Sequence, residues 1–92
     1  MTDELKAQLT RTADRLRVMS VAQLERDERV DAARKLITEM ARSARPEATV
    51  PELALSSLGD QIFVVGKEFI SVASDAQAEA MANQLREFRL SL

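Results

Sequence analysis

Serine hydroxyls, three lysines and fifteen carboxylates are the groups in this chain with any capacity for covalent or acid–base chemistry. Histidine, cysteine, tryptophan and tyrosine are absent. Their absence removes the commonest general base, the thiol nucleophile, the usual zinc ligands and the phenolic acid. A serine nucleophile would need an adjacent base. None of Lys6, Lys35 and Lys67 stands at S-x-x-K spacing from a serine, and no serine sits in a G-x-S-x-G elbow. A carboxylate metal site needs acidic residues facing one another inside a bundle, whereas these fall mainly on polar faces. The two glycines are isolated, so there is no glycine-rich phosphate loop. The expectation is a non-enzymatic protein with no catalytic residue, no metal and no cofactor.

Two kinds of recognition chemistry remain. The first is electrostatic. Net charge is −2, yet residues 1–45 hold ten Lys/Arg against eight Asp/Glu, and residues 46–92 hold three against seven. Arg11, Arg15, Arg17, Arg34, Arg42 and Arg45 form the best candidate surface for nucleic acid. They are interleaved with Asp14, Asp31 and Glu39 and lack aromatic neighbours for base stacking. A nucleic-acid-binding or regulatory accessory using this half is therefore the alternative reading, and an ordinary solvated face is favoured over it.

The second is apolar. The segment 55–73, LSSLGDQIFVVGKEFISVA, holds both glycines and two of the three phenylalanines. As a hairpin turning at Gly66-Lys67 it would leave neither face cleanly polar. At roughly 100° per residue it sorts well. Leu55, Leu58, Ile62, Val65, Phe69 and Val72 form one stripe, and Gly59, Phe63, Gly66 and Ile70 a second beside it. Asp60, Gln61, Lys67, Glu68 and Ser71 fill the far side, where Val64 is the one misfit. A helical glycine costs about 0.8–1 kcal/mol relative to alanine, a cost that close approach of a neighbouring helix at Gly59 and Gly66 would offset.

The rest of the chain supplies the elements to cover that helix. A first helix is expected from Thr2 or Asp3, one of which caps it, to about Met19, with Leu5, Leu9, Ala13 and Leu16 inward. Ser20 and Gln23 have capping-box spacing. The charged run Glu25-Arg26-Asp27-Glu28-Arg29 is either a bend in the second helix or a turn after a first helix that continues to Leu24; no glycine or proline marks it. Val30, Ala33, Ile37, Met40 and Ala44, flanked by Leu36, then form a stripe that ends before Pro46. Thr49 and Glu52, with Pro51 between them, signal another helix start, and Ser74 with Gln77 a further one. The last helix carries Ala78, Met81, Leu85, Phe88 and Leu92.

The expected fold is all-α: one domain over 1–92, a bundle of about four helices with the 55–73 helix central. The alternative is α+β, with two N-terminal helices, a β-hairpin at 61–72 and a C-terminal helix. Hydrophobic content of 46% and charged content of 30% place the chain among folded globular proteins. No apolar run reaches membrane-span length, no basic-then-apolar signal opens the chain, and cysteine is absent. A cytoplasmic protein without membrane contact is expected. Because the 55–73 helix is apolar over about half its circumference, the expected function is protein–protein contact. The chain pairs with itself as a homo-oligomer, or with a protein partner, through Phe63, Val64 and Ile70.

Overall fold

Helix start signals decide most of the element boundaries. In the computed structural model, which describes residues 2–92, α1 runs Asp3–Val18, α2 is the single turn Val21–Leu24, α3 runs Arg29–Ala44, α4 Leu58–Val72 and α5 Asp75–Leu90. Two 3₁₀ turns, Arg26–Glu28 and Leu55–Ser57, precede α3 and α4. The fold is all-α; no strand occurs among the described residues, and the 61–72 hairpin is replaced by the body of α4. Helix wins there because it gathers Leu58, Ile62 and Phe69 onto one buried side, which a period of two cannot do. No helix among the described residues is long and apolar enough to cross a membrane.

Two of the three capping boxes form. Ser20 accepts from the Gln23 amide and Ser74 from the Gln77 amide, each at 3.2 Å, and both glutamine side chains return the bond at 2.9 Å. The third fails: residues 49–54 are not helical, and α4 begins nine residues after Thr49. Side chains from the neighbouring helices take the carbonyls of this segment instead. Gln61 Nε2 donates to the Pro51 oxygen at 2.8 Å and Arg34 Nη2 to that of Leu53 at 3.1 Å. The α1 start also differs in detail, since neither Thr2 nor Asp3 caps it with a side chain; Thr2 is the first flanking residue and makes no such bond.

The charged run is a turn, but α1 does not continue to Leu24 to meet it. The helix stops at Val18, the capped turn α2 follows, and the chain reverses through Asp27 (φ 53°, ψ 34°) and Glu28 (φ 60°, ψ 25°). Both are left-handed, a conformation usually reserved for glycine or asparagine.

Helix α1 packs against both α4 and α5, and α4 packs on its other side against α3. The double contact gives α1 a wider buried face than its leucines suggest. Gln8 and Thr12 are buried with Leu5, Leu9, Ala13 and Leu16. Buried polar groups need partners, and both have them. Thr12 Oγ1 donates to the Gln8 carbonyl at 2.7 Å; Gln8 Nε2 donates to Glu4 at 2.9 Å and its Oε1 accepts from Arg89 at 3.2 Å. One core unites Ile37 and Met40 of α3, Ile62 and Phe69 of α4, and Met81 and Leu85 of α5 with the α1 stripe.

The α1–α4 seam is closest at the two glycines. A Cβ on Gly59 would stand 2.8 Å from both the Ala13 carbonyl oxygen and Arg17 Cγ. One on Gly66 would stand 2.6 Å from Leu9 Cδ2 and in contact with Cδ1. Glycine to alanine in an exposed helix stabilises by about 1 kcal/mol. Here the sign should reverse. Gly59→Ala must displace the backbone of α1, and overpacking of this kind costs about 1–3 kcal/mol. Urea unfolding should show a net loss of about 1–2 kcal/mol for Gly59→Ala; a gain in stability would mean that the seam is loose.

At the α1–α5 seam, Glu4 accepts from Gln8 and from Arg86 Nη2 at 2.6 Å. The Gln8 bond, then the Arg86 bond, hold the Glu4 carboxyl below its ordinary value of 4.5. A depressed carboxylate contributes stability above its unfolded pKa and loses it as pH falls through the folded one. The stability difference between wild type and Glu4→Gln should therefore be measurable by denaturant titration at pH 7 and vanish once pH drops below the folded value. A difference unchanged in acid would remove the ionised carboxylate from the account.

Candidate interaction surface

The three proposed contact residues do not lie together. Helix α4 turns its core side, centred on Ile62 and Phe69, toward α1 and α3. Phe63 and Ile70, seven residues apart, share the flank beside the glycine seam and are half-buried against the core. Val64 points the other way and is 65% exposed.

Phe63 is covered from within the chain. The stem of Arg17 crosses α4 over Gly59, where the absent side chain leaves it room. Its guanidinium carbon then lies 5.3 Å from the Phe63 ring centroid, with Lys67 Nζ at 6.0 Å. The same guanidinium bonds Asp60 at 2.8 Å and Asp14 at 3.0 Å, and the Asp60 bond leads in raising the Arg17 pKa.

Val64 has different company. Together with Val65, Pro51, Leu53 and the stem of Gln61 it lines a shallow depression of about 390 Å³ between α4 and the 45–54 connector, edged by Ser57 and Asp60. Leu53 is 41% exposed. Thr49, Pro51 and Glu52 around it carry helix-start spacing, so its exposure is not evident from sequence. Val72 is also outside, at 56% exposure, although it shares a heptad position with Leu58 and Val65. Seven residues fall short of two full helical turns by about 20°. Successive members of that row accordingly move from buried (Leu58) through half-buried (Val65) to exposed (Val72). On the outer side of α4 the apolar residues left to solvent beside the depression are Leu53 and Val64; Val72 is exposed two turns further on, beyond the Arg45–Glu68 pair.

The arginines are dispersed and largely engaged. Arg15 donates to the Leu92 main-chain oxygen at 3.3 Å, Arg34 to that of Leu53, and Arg45 pairs with Glu68 at 2.7 Å. With Arg17, four of the six candidates are committed to partners in their own chain. Arg34 and Arg42 do share an open depression between α3 and the connector, but with Asp31, Glu39 and Glu52 among its walls. Among the described residues, no three Asp or Glu converge in a way that could hold a metal ion. No family model, curated protein or solved structure matches this chain.

Proposed function

We propose that this protein is a non-enzymatic interaction module working in a reducing cytoplasm, and that it pairs with a second copy of itself through the outer side of α4. The observation that supports this reading is the exposure of Leu53 and Val64 on the walls of an apolar depression. Apolar area removed from water contributes about 25 cal/mol per Å², and a branched side chain such as Val64 on a rigid helix loses little entropy on docking.

The charges on that side suit an antiparallel two-fold pair. Asp60 lies one turn before Val64 and Lys67 about one turn after it. Two α4 helices crossing at Val64 would set Asp60 of each beside Lys67 of the other, the isologous arrangement of a closed dimer. Val64 then occupies the centre, while Phe63 and Ile70 support the helix from its inner flank.

Light scattering over a hundredfold dilution tests the pairing. The wild type should pass from dimer to monomer, and Val64→Lys should be monomeric throughout with an unchanged helical CD spectrum, since the side chain is mainly in solvent. Asp60→Lys should weaken the dimer, and the combined Asp60→Lys, Lys67→Asp exchange should restore it. A dimer indifferent to Val64→Lys would move the interface elsewhere.

A further inference from the structure

Among the described residues, the reversal at Asp27 and Glu28 is where the backbone is held against its local preference. Both residues lie in the left-handed region, and they are the only positive-φ residues among those described. Aspartate tolerates that region through its short polar side chain; glutamate has no such compensation. The surrounding segment, Glu25-Arg26-Asp27-Glu28-Arg29, contains no glycine or proline and is composed largely of helix formers. On one side lies the turn Val21–Leu24, on the other the sixteen residues of α3.

We infer that this reversal is a strained hinge through which two copies of the chain exchange α1 and α2. If Asp27 and Glu28 relax to right-handed helix, Val21–Leu24 runs directly into Arg29–Ala44, and α1 with α2 is carried away from its own α4 and α5. The same elements of a second copy then take the vacated place. Every contact across those seams is re-formed between chains: Leu9 on Gly66, Arg17 with Asp60, Glu4 with Arg86, Gln8 with Arg89. The closed and exchanged forms therefore differ mainly at the hinge, the condition under which exchange of an identical element is a low-cost route to a dimer.

At the hinge, release of the two left-handed residues favours opening, and loss of the Arg29 bond to the Gln23 oxygen opposes it. A continuous helix allows a Glu25–Arg29 pair and sets Asp27 against Asp31, two small terms of opposite sign. The closed form is anchored by Arg29, which donates to the Gln23 oxygen at 2.8 Å and to the Leu92 main-chain oxygen at 3.2 Å, but its buried Nε has no partner. Exchange depends on the hinge alone and does not involve the outer side of α4.

Refolding from urea at high protein concentration, followed by size-exclusion chromatography, should yield a dimer that returns to monomer only slowly, because separation requires unpacking of α1. Glu28→Gly, which accepts the left-handed conformation, should lower the dimer yield roughly tenfold. Glu28→Ala keeps the conflict and should leave the yield close to wild type. Identity of the dimer is read with Glu4→Cys and Arg86→Cys in one chain, treated with a short bis-maleimide. An exchanged dimer becomes a covalent dimer on a denaturing gel, whereas a dimer joined through Val64 links within each chain and runs as monomer. Absence of a dimer, linkage within chains only, or a yield unaffected by Glu28→Gly would each overturn the exchange. The Val64→Lys background separates the two models, since it abolishes surface pairing and leaves exchange intact.

Discussion

The structure depends on how closely α1 can approach α4. At Gly59 and Gly66 the α4 backbone lies against Ala13, Arg17 and Leu9 with no room for a methyl group. Helices that meet this tightly bring their flanking side chains into dense contact, and dispersion attraction rises steeply as such gaps close. The core is built around that seam, with α5 closing the far side of α1 and α3 the far side of α4. Two glycines that weaken α4 as an isolated helix thus define the surface on which α1 holds it.

Several surface features follow from the same approach. Arg17 crosses Gly59, reaches Asp60 and covers Phe63, so an aromatic residue that pattern alone would offer to a partner is shielded within the chain. Rotation of α4 toward α1 and α3 also decides what is left outside. Val64 lies opposite the seam, and the drift of the heptad row brings Val72 into solvent near the end of the helix. The connector 45–54, held by Gln61 and Arg34, adds Pro51 and Leu53 to that side.

The strained reversal is the counterpart of the seam. To lay α3 against α4 the chain must turn back within a few residues after α2, and it does so with aspartate and glutamate in a conformation they disfavour. Burial of Ala33, Ile37 and Met40 offsets that local cost. A conflict of this kind, local preference against tertiary packing, is where a fold has a second arrangement available to it.

Much of this was legible in the residues. Three- and four-residue spacing placed the four long helices and most of the core, because a helix that buries one side must repeat its apolar residues at that period. Serine followed three residues later by glutamine marked the starts of α2 and α5, since that pair satisfies amides a helix end leaves open. The same pattern misled at Thr49, where the side chains of Gln61 and Arg34, distant in sequence, satisfy the backbone instead. Gln8, Thr12 and Gln61 read as polar and are buried; Thr12 is satisfied one turn back by the Gln8 carbonyl, whereas Gln8 and Gln61 also use partners from other elements, Arg89 and the Pro51 carbonyl. Of the contact residues, Val64 stood out as the misfit on a polar arc and is exposed, while Phe63 and Ile70 depended on which flank met α1. Sequence by itself determined that the chain is helical and which stretches carry its four long helices, though not where α4 starts or how the 19–29 run is divided. Tertiary structure alone decided which sides meet, which valines stay in solvent and that the charged run reverses left-handed. Periodicity specifies an apolar side but not its partner, and only packing distributes one helix's apolar arc between the core and the surface.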